Sequence, residues 1–245
     1  MLVPAKFDVI LSSGFLCFSS HAGFATALEE RELMNAEAFV GTSSGALAAA
    51  LLAAGYGADE IAHQLSRQRP IALTRMAAPW RGLFSTRALE ARMRELLPAT
   101  FEELERPLAV GVYQTCGDEK KPLLLQTGDL PSAVAASCAV PKLFARVRVR
   151  GEAYADGGAV DRTAVATWRK WRPGKQALVH LVTDLPEPAL GLRDGLTVGA
   201  RDLHVVRTPR ARASFLSLGD FDGERARACA TAGGQLDSLS WVKEM

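Results

Sequence analysis

Phe39-Val40-Gly41-Thr42-Ser43-Ser44-Gly45, continuing as ALAAALLAAG to Gly55, holds two adjacent serines between two glycines. The residues before the serines form a short apolar run of strand type. Those after it form a helix that is apolar nearly all round, which implies burial on every side. Gly41 to Gly45 fits G-x-S-x-G, a weak signal by itself in a chain with 21 glycines. Its setting is more telling, because a nucleophile elbow needs a strand that turns sharply into a helix. Glycine on either side removes side chains that would clash in so tight a turn, and the new helix's N-terminus favours negative charge beside it. On this stretch alone Ser43 is either a nucleophile or the polar cap of a buried helix.

Outward from the serines, strands and helices alternate. FDVILS (7–12) reads as a buried strand, followed by a helix through SSHAGFATALEERELMNA (19–36) with Ser19 or Ser20 as cap. ADEIAHQLSRQ is an amphipathic helix, and a further helix follows PWRGLFS. RPLAVGVYQT and KPLLLQTG read as strands around a turn, and DLPSAVAASCAVP as a short helix stopped by Pro141. ARVRVRGEAYADGG reads as strand, turn, strand. TAVATWRKW is helical, QALVHLVTD and LHVVRT are strands, and the last helix is expected to break at Gly233–Gly234. This order predicts an α/β domain with a mainly parallel sheet and helices on both faces. With 245 residues, 48% of them hydrophobic, and no repeat or linker, residues 1–245 are expected to form a single domain.

A net charge of +2 gives no drive toward nucleic acid. Four separated cysteines with no CxxC pair indicate neither a zinc site nor a disulfide framework. The first residues lack a secretory pattern, and the longest apolar run falls short of the ~20 residues that span a bilayer. A soluble, cytoplasmic protein is expected.

If Ser43 is a nucleophile, a base must take its proton. His180 or His204 would suit a conventional Ser–acid–His order, although only two strands precede Ser43. His21 and His63 fall too early and on helices. A carboxylate is the alternative: in YADGGAVDR, Asp156 ends a short strand, and Gly157 and Gly158 leave room beside it. Alone, that motif is an ordinary Asp-Gly turn.

Four segments, in order, resemble the patatin-like phospholipases: LSSGFLCFSSHAGFATALEE, VGTSSGAL, AVAASCAVPKLFARVRV and YADGGAVDRTAV. The resemblance extends to about Val165 and fades after residue 170. It implies a three-layer α/β/α fold and a Ser–Asp dyad with no catalytic histidine. Carried over, Ser43 is the nucleophile and Asp156 the base, with Gly41, Gly45, Gly157 and Gly158 supporting them. No metal or organic cofactor is implied, and the substrate class is a lipid or other acyl ester. A free carboxylate is a weak base at neutral pH, so the apolar approach through Ala153, Tyr154 and Ala155 is expected to raise the Asp156 pKa.

Two departures from the family stand out. Its oxyanion loop reads approximately G-G-G-x-R/K-G, whereas this chain has SGFLCF (13–18), keeping only Gly14 and putting Cys17 where a basic residue is usual. Backbone N–H groups survive such changes, but the angles that aim them are restricted. Gly14 and Phe15 are the expected donors, and Cys17 an inert buried thiol. The altered loop also admits a second reading, a lipid-binding module that has lost turnover. The other departure is Arg162 in place of the usual Asn, expected to pair with Asp161 or to brace its loop, with a substrate anion as the alternative. RVRVR (146–150) and WRKWRPGK (168–175) together suggest a cationic, aromatic-edged face for peripheral contact with anionic lipid, against the plainer reading of a solvated edge strand and helix end. PWRGLFS (79–85) reads as either a lid or a connector. Nothing in the sequence fixes an oligomeric state.

Overall fold

The computed structural model describes residues 6–77, 83–116, 119–184, 196 and 201–239. Strand β1 (Phe7–Leu11) leads into helix α1 (Phe18–Glu29). The elbow stretch becomes β2 (Phe39–Thr42) and α2 (Ser44–Ala53), followed by α3 (Ala58–Ser66). Two-residue strands β3 (Arg75–Met76) and β4 (Phe84–Ser85) form a small hairpin ahead of α4 (Arg87–Leu96). Then come β5 (Leu108–Cys116), β6 (Glu119–Leu125), α5 (Leu130–Ser137), β7 (Val147–Val149) and β8 (Glu152–Asp156). Helix α6 (Val165–Trp171), β9 (Gln176–Val182), β10 (Leu203–Thr208) and α7 (Phe221–Leu236) complete the order.

Eight strands form one sheet in the order β10-β9-β1-β2-β5-β8-β7, with β6 also paired to β5. From β10 to β5 every pairing is parallel, and β6, β7 and β8 make an antiparallel edge. Strand β1 shows why both faces are covered. Phe7, Val9 and Leu11 face a large core with α1, α2 and α3, while Ile10 faces a second core built around Val165 and Trp168 of α6. This is the period-two alternation of a strand with apolar layers on either side. All ten residues of α2 are buried, in keeping with its apolar circumference.

Two helix ends differ from expectation. α1 stops at Glu29 rather than near residue 36, because Glu32 adopts a left-handed φ of 58° and the Leu33 N–H bonds back to the Leu28 carbonyl. α7 does not break at its paired glycines. Gly233 instead gives room to the Arg31 side chain, which pairs with Asp237 at 2.8 Å. Within PWRGLFS, Phe84 and Ser85 form β4, and residues 79–82 lie outside the described residues.

Candidate active site

Ser43 sits between β2 and α2 at the carboxyl end of the parallel strands, the usual location of ligand sites in open α/β sheets. Its backbone has φ 56° and ψ −123°, a left-handed geometry that costs a non-glycine residue about 1–3 kcal/mol. The flanking glycines make this turn feasible. A Cβ on Gly45 would run into the Leu11 and Ser12 carbonyls, and one on Gly41 into α2 itself. Ser44 is the first residue of α2, as expected.

Strand β5 sets the distance between the two candidate reacting groups. Its Gly111 pairs with Thr42 on one edge, and the next residue, Val112, pairs with Asp156 on the other. The Asp156 carboxylate therefore lies beside the elbow. Ser43 Oγ donates to Asp156 Oδ2 at 2.7 Å, and Oδ1 accepts the Gly158 N–H at 2.8 Å. Gly157 and Gly158 pack against the Gly111 carbonyl and Ser13 respectively, where any Cβ would collide. Asp156 is only 4% exposed. Burial pushes its pKa up to about 6, against the opposing pull of its hydrogen bonds from Ser43 and Gly158.

The last residue of α5 and the segment that follows it brace both groups. The Ser43 N–H donates to Ser137 Oγ at 2.8 Å, and that hydroxyl donates to the Gly111 carbonyl at 2.6 Å. Two residues on, the Ala139 carbonyl accepts the Asp156 N–H at 3.0 Å. ASCAVP thus links the elbow to Asp156, a role its residue types do not announce. Cys138 and Cys17 have thiol pKa values raised by burial.

Ser43 opens into an apolar cleft walled by Phe15, Leu47, Leu73, Leu89, Phe144 and Phe215. Phe215 meets Phe15 edge-on, with ring centres 5.3 Å apart, and contacts Phe84 and Phe144 as well. Phe215 lies beyond the four resembling segments, and no pattern in the sequence marks it. Gly14 and Phe15 lie in the loop between β1 and α1, and Phe15, 42% exposed, stands at the mouth of the cleft.

Of the two histidines offered for a conventional triad, His204 lies at the amino end of β10, away from the pole that holds Ser43. His180 is buried and bonds to His21 and Thr208, while Ser43 Oγ bonds to Asp156. Arg162 does brace a loop, although not its own: it donates to the Ser13 carbonyl at 3.1 Å and the Val182 carbonyl at 2.7 Å. RVRVR and WRKWRPGK do not form one face. Trp168 is buried with Nε1 donating to Asp8, and Arg172 pairs with Asp8 and Glu37. Lys175 pairs with Glu37 and Arg169 with Asp202. These partners gather at the amino ends of the parallel strands, the pole opposite Ser43. Among the described residues no cluster of His, Cys, Asp and Glu could hold a metal ion, and no helix is long and apolar enough to cross a membrane.

Comparison with known proteins agrees with this architecture. The patatin-like phospholipase model matches residues 9–167. Uncharacterized NTE family proteins of Mycobacterium tuberculosis and Mycobacterium bovis are 30% identical over 161 residues, 64% of this chain and 43% of theirs. The chain thus spans less than half the length of these curated relatives. VipD from Legionella pneumophila matches in structure over 99% of this chain and 67% of its own, with a TM-score of 0.59 at 16% identity. ExoU in its heterodimeric complex with SpcU, from the type III secretion system of Pseudomonas aeruginosa, gives 0.50 at 15% identity, over 96% of this chain and 52% of its own. At such identities the structural likeness speaks to the fold, a three-layer α/β/α arrangement around a mainly parallel sheet. The sequence match, which runs from β1 through the elbow to the Asp-Gly-Gly turn, makes the chain a member of the patatin-like phospholipase family.

Proposed function

We propose that this chain is a lipid acyl hydrolase that cleaves carboxylic esters through an acyl-enzyme on Ser43, with Asp156 as general base. The observation that carries this reading is the 2.7 Å hydrogen bond from Ser43 Oγ to a buried carboxylate at an apolar cleft. Ser43 Oγ attacks the ester carbonyl as its proton passes to Asp156 Oδ2. The N–H groups of Gly14 and Phe15 receive the resulting oxyanion. Collapse of the adduct expels the alcohol, which takes the proton back from Asp156. A water molecule then attacks the acyl-enzyme while Asp156 accepts its proton, releasing the carboxylic acid and restoring Ser43. The apolar cleft suits an acyl chain, and a pKa near 6 leaves Asp156 ionised at neutral pH while making it a better base than a solvated carboxylate. Two apolar cores flanking one sheet support a single acyl-hydrolase domain over residues 1–245.

The test is covalent labelling by a fluorophosphonate together with turnover of p-nitrophenyl esters. Wild type is expected to do both and Ser43→Ala neither; equal labelling of the two proteins would refute the assignment. A second reading, a lipid-binding module without turnover, is favoured by Phe15, Cys17 and Phe18 in the oxyanion loop. It predicts binding of lipid vesicles by a wild type that hydrolyses no ester.

A further inference from the structure

A loop that has lost most of its glycines must be held in shape by something else. Two successive peptide units of this loop have their carbonyls clamped. The Ser13 carbonyl accepts from Arg162 Nη2 at 3.1 Å. The Gly14 carbonyl accepts from Ser44 Oγ at 2.5 Å and from the Cys17 N–H at 3.0 Å. Both peptides are trans, so fixing each carbonyl on one side turns the following N–H, of Gly14 and of Phe15, to the other. Among the described residues these two N–H groups meet no acceptor, and Phe15 lines the cleft that contains Ser43.

Behind Ser44 runs a chain of buried polar groups. Ser44 Oγ lies 3.2 Å from His21 Nε2, His21 Nδ1 lies 3.0 Å from His180 Nδ1, and His180 Nε2 lies 2.8 Å from Thr208 Oγ1. Both imidazoles are fully buried, and Phe24 stacks on His180 with ring centres 4.2 Å apart. Ser44 has one proton, and the short bond to the Gly14 carbonyl uses it. His21 Nε2–H must then donate to Ser44 Oγ. A neutral His21 is left with a bare Nδ1, which accepts the proton on His180 Nδ1. His180 Nε2 in turn accepts from the Thr208 hydroxyl. Each group fixes the tautomer of the next. Burial keeps both rings neutral, lowering the His21 pKa to about 3 and that of His180 well below its ordinary value.

We infer that Thr208, His180, His21 and Ser44, together with Arg162, are positioning residues that aim the Gly14 and Phe15 N–H groups at the oxyanion formed on Ser43. The two histidines exchange no proton with substrate. Arg162, which stands where the family usually has Asn, grips the loop that lacks the family's own basic residue at Cys17. This inference rests on the hydrolase reading above.

The experiment compares wild type with Ser44→Ala, Ser44→Thr, His21→Leu and Arg162→Met. Kinetics on a p-nitrophenyl ester are paired with inhibition by an alkyl trifluoromethyl ketone, which forms an oxyanionic hemiketal on serine. Losing a single oxyanion donor costs about 10²–10³ in turnover, so misaiming is expected to lower kcat by about 10- to 100-fold. KM should change less than about twofold, and the ketone should weaken by the same factor as kcat. Ser44→Thr keeps the hydroxyl and should restore kcat to within about threefold of wild type. Nitrogen-15 spectra of wild type should show His180 protonated at Nδ1 and His21 at Nε2, a readout that needs no variant to fold. The reverse tautomers, or folded Ser44→Ala and His21→Leu proteins with kcat and ketone affinity within twofold of wild type, overturn the clamp alone. A wild type that neither takes the fluorophosphonate nor turns over ester overturns the hydrolase reading and the clamp with it.

Discussion

As the proposed base, Asp156 has to be ionised to take a proton from Ser43, yet its surroundings favour the neutral acid. The rise from its ordinary 3.8 to about 6 corresponds to about 3 kcal/mol. Below pH 3.8 folded and unfolded chains both hold the proton, and the native state bears no penalty. As pH climbs toward about 6 the unfolded chain sheds its proton first, so native stability falls, and above that the loss is complete. Asp156→Asn removes the penalty and the base together. The variant should lose at least about 10³-fold in turnover. It should also unfold later than wild type in denaturant at pH 8, by about 3 kcal/mol, with the difference gone by about pH 3. Turnover of wild type should rise through about pH 6 to a plateau, and a profile already flat at pH 5 would contradict Asp156 as base. At this scale the sequence pointed to the serine and aspartate that lie 2.7 Å apart in the structure, through glycine signatures that are weak singly and gain weight only within the ordered set of resembling segments. Ser137, His21 and Thr208 left none, since a buried serine, histidine or threonine has the same letter whether it fills space or orients a neighbour.

At the scale of elements, the end of α5 and the residues just past it connect the Ser43 amide to the Asp156 backbone. Ser137→Ala would leave the buried Ser43 N–H without its acceptor, at a cost of about 1–3 kcal/mol. Denaturant titration should register that loss. Steady-state kinetics should show kcat down by about tenfold with KM little changed, since the cleft wall is untouched. Most elements were readable from periodicity: the alternation of β1 and the all-apolar α2 have only one comfortable place, against the sheet. The errors were at ends. Glu32 closes α1 in a left-handed conformation that usually advertises itself with glycine. In α7, Gly233–Gly234 reads as a break, but packing under Arg31 outweighs the weak intrinsic preference. Strands β3 and β4, two residues each, are too short to carry a period.

At the scale of the whole molecule, a buried polar cluster sits at the pole opposite Ser43. At the amino ends of the strands, Asp8 is fully buried and held by Trp168 and Arg172. Removing Asp8 leaves the buried Trp168 Nε1–H without its acceptor and Arg172 with Glu37 alone, so Asp8→Ala should destabilise by about 1–3 kcal/mol. Calorimetry should show that drop, while kcat per folded molecule stays within about twofold of wild type. A selective loss of kcat would mean the poles are coupled. The sequence left open a lipid-facing reading of WRKWRPGK because its charges are visible in the string and their partners are not; Asp8, Glu37 and Asp202 arrive from distant positions. Strand β5 has a consequence of another kind. Ser43 and Asp156 are 113 positions apart in the chain, yet in space they are separated by one strand and its two hydrogen-bond ladders. Apart from β5 itself and the Ser137–Ala139 brace, the segments between them can lengthen, shrink or be exchanged without altering that spacing, so the wall of the cleft is free to diversify around a fixed pair.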